Sequence, residues 1–259
     1  MEPALNSHQQ FFDRVLGEFE AGHAGEAVLM LSGMLDASLD RGEGLAELRS
    51  AFTAHPLSTL CRHAAKSGNR LGDAVSRLGF ARGLAARSEL GGQAIERAWQ
   101  AGKQILLLDC GERGELARLQ ALPLDNVALE HGDPAQFALL ASRHAFAAPE
   151  PGHRFDLILA TGWADRCRSA DLSDRTSRIA GRLAHGGRLL LSAFVPGHLG
   201  CGWQSVCMGR DLHCHDEDGL AAAASAAGLS ITQFRDSSSS LIWAELRRAG
   251  ATSPARRQP

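Results

Sequence analysis

The feature of this sequence that most restricts its fold is the apolar run at residues 105–108, which ends in an acid and a glycine-containing turn. Asp109 follows the run, Gly111 and Gly114 lie in the turn, and helix-forming residues begin at Glu115. A short, uninterrupted apolar run predicts a strand covered on both faces, as in the centre of a parallel sheet. Glycines let a ligand approach the main chain closely. The stretch therefore predicts a strand, a tight turn and a helix, with a ligand-binding site at the carboxyl end of the strand.

Strands and helices alternate from residue 105 onward, which is the pattern of crossover units on a parallel sheet. Apolar runs predict further strands at 127–130, 155–160 and 188–194, and a hairpin of two strands at 229–234 and 241–246. The predicted helices cover 115–122, 134–146, 172–183 and an alanine-rich segment from about 216 to 228. The sequence therefore predicts an α/β fold over residues 103–248.

The amino-terminal part of the chain has a different pattern, because helical periodicity continues there without a strand. Ser7 and Gln10 have the spacing of a capping box, and Pro56 suits the first turn of a later helix. A further helix over about 93–100 leads into the first strand. We therefore predict an all-helical domain at 1–102, the α/β domain at 103–248 and a disordered polar tail at 249–259.

Charge and cysteine content exclude several classes of function. The chain has 27 Lys plus Arg against 29 Asp plus Glu, so no basic excess indicates a nucleic acid or an anionic membrane as partner. No apolar run is long enough to span a membrane. The six cysteines are scattered and no cleavable leader is visible, so we expect a cytoplasmic protein with reduced cysteines.

The strand, acid and turn at 105–114 resemble motif I of the class I S-adenosylmethionine-dependent methyltransferases. Asp109, Cys110, Gly111 and Gly114 fill the places of the acid, the small residue and the glycine-rich turn. The resemblance implies a Rossmann-like sheet and S-adenosylmethionine as cofactor. It also implies that Asp109, Gly111 and Gly114 position the methionine part of that cofactor.

Downstream segments extend the resemblance over about 103–248 in the expected order. Residues 155–162 resemble the family's strand four, and Gly186-Gly187 with the following apolar strand resemble strand five. Only 21 residues separate Asp133 from Phe155, and 12 separate Gly114 from Val127. This leaves room for one strand–helix unit where the family has two, which indicates a sheet shortened by one unit.

Two acids are candidates to hold the adenosine of the cofactor. Glu130 ends a predicted strand, and an ionised carboxylate there can accept hydrogen bonds from both ribose hydroxyls. His131 stands at the position that best matches the family's ribose acid, while Asp133 resembles the acid that contacts the adenine edge. The sequence leaves these alternatives open. Three further residues are expected at the edge of the reaction chamber: Thr161, Gly162 and Trp163.

The resemblance implies methyl transfer to a small-molecule acceptor, such as the carboxylate or hydroxyl of a fatty-acid-like compound or a secondary metabolite. Residues 55–57 (His-Pro-Leu) and 72–74 (Gly-Asp-Ala) resemble a bacterial subgroup with a helical cap, which is implicated in making methyl esters of hydroxy fatty acids. A carboxylate acceptor is already ionised, so no catalytic base is required and no catalytic residue is assigned. The helical domain is expected to select the acceptor or to form a homodimer.

The competing hypothesis is a catalytically silent, methyltransferase-like protein that binds or regulates a partner. The shortened middle and the charged residues Glu112 and Arg113 in the turn support it. A zinc site is not predicted for the Cys and His residues between 201 and 215, because they lack the closely spaced cysteine pair of a zinc knuckle. A nicotinamide cofactor is not predicted either, since Gly111 and Gly114 fall short of the longer glycine fingerprint.

Overall fold

A computed structural model describes residue 14 and residues 79–109, 125–132, 148–196, 212–235 and 241–248. Its elements in chain order are α1 (Gly79–Gln100), β1 (Ile105–Leu108), β2 (Val127–Glu130), β3 (Phe155–Ala160), a 3-10 turn (Ala164–Arg166), α2 (Ser169–Ala180), β4 (Leu183–Phe194), α3 (Glu217–Ala226), β5 (Leu229–Arg235) and β6 (Leu241–Arg248).

The strands form one mixed sheet in the order β2-β1-β3-β4-β6-β5. Neighbouring strands from β2 to β4 are parallel, whereas β6 is antiparallel to both β4 and β5. The predicted Rossmann-like α/β fold and its terminal hairpin are thereby confirmed, with six strands in the described part of the chain. The chain moves outward from β1 in one direction and from β3 in the other. The gap between the carboxyl ends of β1 and β3 is therefore the position where open α/β sheets bind ligands.

Both faces of the sheet are covered, which explains the solid apolar character of its central strands. On one face, Ala94, Ile95 and Ala98 of α1 pack on alternate residues of β1, β2 and β3. On the other face, α2 and α3 cover the remaining residues through Leu172 and Leu220, among others. Full burial of such a side chain contributes about 1.5–3 kcal/mol before its entropy cost. The core therefore holds the strand ends in fixed positions.

Helix α1 is longer than predicted, because it begins at Gly79 and not near Gln93. Gly91 and Gly92 weaken a helix by about 1 kcal/mol each, so the sequence favoured a break there. Both glycines are buried in the helix. Packing of the surrounding helix against the core outweighs the local preference of these two residues.

The segment before β4 also differs from the prediction. Helix α2 ends at Ala180 and β4 begins at Leu183, whereas the sequence predicts a turn at residues 185–187 before this strand. The predicted turn lies within β4 as an irregularity, because the pairing of β4 with β3 changes register between Phe155 and Leu157. Gly186 has a positive φ of 74° there. The predicted turn and the predicted strand are thus parts of one element.

Several predictions lie outside the described residues: the helices before residue 79, the helices at 115–122 and 134–146, the segments resembling the bacterial subgroup, and the tail at 249–259. The proposed division at residue 102 stays a prediction. None of the helices in the described ranges has the length and apolar character needed to cross a lipid bilayer.

Candidate functional site

The carboxyl ends of β1, β2 and β3 lie side by side and place several of the predicted site residues together. The register pairs Leu108 with Glu130 and Leu107 with Leu159, so the residues that follow emerge at one edge of the sheet. Asp109 follows β1, residues 131–132 follow β2, and residues 161–162 follow β3. The expected cluster at this edge is therefore present in the structure.

Asp109 has an unusual main-chain conformation at the centre of this edge. Its φ is 50°, in the left-handed region that Asp enters more readily than most residues. The Asp109 N–H donates to the Glu130 carbonyl at 2.9 Å. The carboxylate accepts a hydrogen bond from the Gly132 N–H at 2.7 Å on Oδ1. These two hydrogen bonds stabilise the main-chain bend at Asp109 and connect the end of β1 to the end of β2.

Two cationic or potentially cationic groups approach the same oxygen of Asp109 from greater distances. Arg166 Nη1 lies 3.5 Å from Oδ1, and His131 Nδ1 lies 3.8 Å from it. The Asp109 side chain is 11% exposed and that of Arg166 is 35% exposed. The contact between Arg166 and Asp109 is long and partly exposed to solvent, so this ion pair contributes little stability. The carboxylate is held mainly by the Gly132 N–H.

Glu130, a candidate for the ribose acid, is paired with a residue near the start of β4. Arg182 Nη1 donates to Glu130 Oε2 at 2.6 Å, and the side chain of Glu130 is 45% exposed. Among the described residues, no partner contacts the other oxygen, Oε1. Glu130 therefore retains one accessible acceptor for a ligand.

The three residues expected at the chamber edge occupy different environments. The Thr161 carbonyl accepts a hydrogen bond from Ser192 Oγ at 2.8 Å, and Thr161 is buried. A Cβ at Gly162 would lie 3.1 Å from the Asp109 carbonyl oxygen, so glycine permits the close approach of the two strand ends. Trp163 is 5% exposed and belongs to the apolar core. Gly162 lies directly against Asp109.

A buried ionic cluster lies behind the 3-10 turn, and its members were not predicted as site residues. Arg87 Nη1 of α1 donates to Asp165 Oδ2 at 2.8 Å. The Phe194 N–H donates to Asp165 Oδ1 at 3.0 Å. The Arg87 guanidinium also lies 4.9 Å from the centre of the Phe194 ring. The turn is thereby joined to α1 and to the end of β4.

Two histidine residues complete the contacts of this turn. The His213 N–H donates to the Asp165 carbonyl at 2.7 Å, and His215 Nε2 lies 2.9 Å from the Ala164 carbonyl. Burial raises the pKa of Asp165 above its ordinary value of 3.8, while Arg87, the Phe194 N–H and His215 act in the opposite direction. The turn is fixed through both its main chain and the Asp165 side chain.

A sequence signal for Arg87 existed, although none was visible for Arg166. Leu84, Arg87, Gly91, Ala94 and Ile95 are all buried and have the spacing of one helical face. A lone arginine on an otherwise apolar stripe predicts a buried partner of opposite charge. Nothing in the sequence indicated that Arg166 contacts Asp109.

The remaining predicted site residues, Cys110, Gly111, Gly114 and Asp133, lie outside the described ranges, as do Cys201 and Cys207. Within those ranges no group of three or more His, Cys, Asp or Glu residues is arranged to hold a metal ion. Cys214 is disulfide-bonded. The expectation that all six cysteines are reduced is therefore wrong for Cys214.

Comparison with known proteins identifies the fold. No protein-family model matches the sequence, and no curated protein matches it. A crystal structure of a possible exported protein from Bordetella parapertussis is similar over 96% of this chain and 99% of its own, with a TM-score of 0.58 and 17% identity. At this identity the similarity establishes a shared fold and assigns no activity.

Similarity to solved methyltransferases is lower. An S-adenosylmethionine-dependent methyltransferase from Clostridium acetobutylicum ATCC 824 has a TM-score of 0.45 and 11% identity, over 62% of this chain and 91% of its own. The magnesium protoporphyrin IX methyltransferase of Synechocystis PCC 6803, with bound S-adenosylhomocysteine, has a TM-score of 0.44 and 16% identity, over 79% of this chain and 99% of its own. Neither similarity is close enough to transfer an activity.

Proposed function

We propose that this protein transfers a methyl group from S-adenosylmethionine to a small-molecule acceptor. The observation that carries the proposal is the bend at Asp109. This acid ends β1, lies at the switch point of the sheet and is joined to the end of β2 through Gly132. The residues that resemble the family's cofactor motif follow Asp109 directly in the sequence. The parallel strands are followed by an antiparallel hairpin, as the sequence pattern predicts.

The described part of the edge has features that suit a nucleoside. Glu130 presents an accessible carboxylate oxygen, and acceptor oxygens suit the two hydroxyls of a ribose. Added side chains would contact Asp109 at Gly132 and Gly162, at 3.5 Å and 3.1 Å respectively. Glycine at both positions permits the close approach of the ends of β2 and β3 to Asp109. We assign the adenosine to Glu130, with His131 or Asp133 beside it.

Bound S-adenosylmethionine supplies an electrophilic methyl group. The contribution of this chain is then to hold the two reactants in line and to keep water away from them. Asp109, with Cys110, Gly111 and Gly114 of the predicted turn, is assigned to the methionine part. Gly162 is assigned to the wall beside the acceptor, and the buried residues Thr161 and Trp163 are assigned to the support of that wall. An ionised acceptor requires no proton transfer, so the proposal names no catalytic base.

The acceptor class that we propose is a fatty-acid-like compound or a secondary metabolite with a carboxylate or hydroxyl group. Residues 1–102 are proposed to select this acceptor, and contacts between copies of these helices would give a homodimer. We also propose a cytoplasmic location. These finer assignments rest on the sequence resemblance.

One structural observation favours the second candidate function, a catalytically silent binding protein. Both acids at the edge already have internal partners, since Asp109 is bonded to Gly132 and Glu130 to Arg182. Partners within the protein can take the place of a ligand that has been lost. The two candidates therefore differ in whether Glu130, beside its contact with Arg182, also binds a ribose.

Calorimetry with S-adenosylmethionine and S-adenosylhomocysteine on the full chain tests the proposal. We expect saturable binding, weakened roughly tenfold by Glu130→Gln, which corresponds to about 1.4 kcal/mol. Arg182→Gln frees the Glu130 carboxylate, so it should preserve or strengthen binding. Asp174→Asn, an exposed acid on α2, is the matched control and should bind as the wild type does. No heat and no thermal shift at about 1 mM of either ligand would establish the silent alternative.

A further inference from the structure

The 3-10 turn Ala164–Arg166 has two sides with opposite environments. The side chain of Asp165 points inward and is 3% exposed, whereas that of Arg166 is 35% exposed. Asp165 is held by Arg87 and by the Phe194 N–H, and its carbonyl accepts from the His213 N–H. A rotation of the turn would break all three contacts. The guanidinium of Arg166 is therefore presented at the carboxyl edge by a rigid support.

The contact of Arg166 with Asp109 uses little of its hydrogen-bonding capacity. In the described part of the chain the one polar contact of its guanidinium is from Nη1 to Asp109 Oδ1, at 3.5 Å. That oxygen already accepts a shorter bond, 2.7 Å, from the Gly132 N–H. A guanidinium carries five N–H donors in a planar fork that fits a carboxylate through two parallel hydrogen bonds. Arg166 can therefore bind a ligand while it stays close to Asp109.

We propose that Arg166 is an anion-binding residue that recognises the carboxylate of a ligand seated beside Asp109. The inference rests on the proposed function for the presence of a nucleoside at this edge. Two sources of the carboxylate share this chemistry: the amino-acid end of the cofactor, and the acid group of the acceptor. A carboxylate next to Asp109 would otherwise be repelled, and the Arg166 charge offsets that repulsion.

The first experiment separates the amino-acid end of the cofactor from its nucleoside. S-adenosylhomocysteine carries the carboxylate, and 5′-methylthioadenosine lacks the whole amino-acid end. If the cofactor is the source, Arg166→Gln weakens binding of S-adenosylhomocysteine by about tenfold or more, the effect of losing a charge-assisted pair. The same substitution should change binding of 5′-methylthioadenosine by less than about twofold. Arg166→Lys keeps the charge without the fork and should recover only part of the loss.

The second experiment tests the acceptor as the source, with octanoate and 1-octanol as probes in the presence of saturating S-adenosylhomocysteine. If the acceptor is the source, Arg166→Gln removes the preference for octanoate and leaves binding of S-adenosylhomocysteine unchanged. Arg168→Gln is the matched control in both experiments. Arg168 is an exposed arginine two positions away whose side chain makes no capping hydrogen bond.

The possible outcomes distinguish this inference from the proposed function. Equal binding of S-adenosylhomocysteine and octanoate by the wild type and Arg166→Gln overturns the inference, because the Asp109 contact is then purely structural. Equal losses of binding in Arg166→Gln and Arg168→Gln overturn it as well, since the loss of one positive charge anywhere near the site would explain both. A wild type that binds neither nucleoside overturns the proposed function. In that case binding of octanoate and 1-octanol is compared without a nucleoside. If Arg166→Gln leaves the preference for octanoate over 1-octanol unchanged, the inference is overturned.

Discussion

Arg87 and Asp165 form a buried ion pair that joins α1 to the turn beside the candidate site. Nη1 and Oδ2 are 2.8 Å apart, and each side chain is 3% exposed. The Phe194 N–H gives the carboxylate a further hydrogen bond at 3.0 Å. Such a pair contributes little net stability compared with apolar residues, but the loss of one partner leaves the other charge buried. The pair therefore restricts which arrangements of α1 and the turn are stable.

The first prediction concerns single and double substitutions of this pair. Arg87→Met and Asp165→Asn should each lower the free energy of unfolding by about 3–5 kcal/mol, because each leaves one charged group without its partner. The double variant should lose less than the sum of the two. Urea unfolding of the four proteins measures the interaction. Strictly additive losses would show that the two side chains do not interact in solution.

An exposed ion pair supplies the control for these measurements. Arg235 Nε lies 2.6 Å from Glu217 Oε1 on the surface between β5 and α3. Solvent screens such a pair, so Arg235→Gln should leave the unfolding midpoint unchanged within error. A large effect there would mean that charge changes in general destabilise this protein.

The second prediction follows from the raised pKa of Asp165. A carboxyl group with a higher pKa in the folded state binds protons more tightly there than in the unfolded chain. Its contribution to stability is complete below the ordinary value of 3.8 and is lost as the pH rises through the pKa of the folded state. The stability of the wild type relative to Asp165→Asn should therefore decrease as the pH rises from about 4. A constant difference across that range would contradict the assignment.

The strands could be predicted because their signals are local. Each short apolar run, such as 105–108 or 155–160, specifies a buried strand without information from the rest of the chain. The start of α1 was missed because Gly91 and Gly92 favour a break, whereas packing around them favours continuation. The helix propensity of a residue carries no information on how the helix packs in the folded protein. The boundaries of elements were therefore less accurate than their type and order.

The site was predictable only where it follows directly from strand ends. Asp109, Glu130 and Gly162 lie at one edge because carboxyl ends of parallel strands meet there, and their contacts with a ligand stay predictions. The bond from Gly132 to Asp109 joins residues 23 apart in sequence, and the Arg87–Asp165 bond joins residues 78 apart. Contacts over such separations depend on the folded arrangement. One sequence alone does not specify them.

The third prediction concerns the reactivity of Cys167. Its side chain is fully buried, and burial raises the pKa of the thiol to about 11, although Arg175 acts in the opposite direction. The thiolate is the reactive form, so iodoacetamide at about pH 8 should modify Cys167 slowly in the folded protein. In urea the same residue should react fully. Peptide mapping by mass spectrometry measures both rates, and equal rates would contradict burial of the thiol.

The fourth prediction is the number of free thiols. The chain has six cysteines, and Cys214 is disulfide-bonded while Cys167 is free. A disulfide removes two thiols, so the protein denatured without a reductant should contain no more than four. Titration with a thiol reagent before and after reduction measures the difference. Six thiols before reduction would show that Cys214 is reduced in the isolated protein.

The fifth prediction concerns Gly187, where β4 passes unusually close to the start of β3. A Cβ at this position would lie 2.7 Å from the Phe155 carbonyl oxygen and 3.1 Å from that of Ala184. Both are main-chain atoms of the sheet, so relief requires a shift of the strands. Gly187→Ala should therefore cost about 1–3 kcal/mol of stability. At Gly132 an added Cβ meets its nearest neighbour at 3.5 Å, an ordinary contact, so Gly132→Ala should cause no such loss. Urea unfolding compares the two, and equal stabilities would mean that β3 and β4 are further apart at this point than the structure places them.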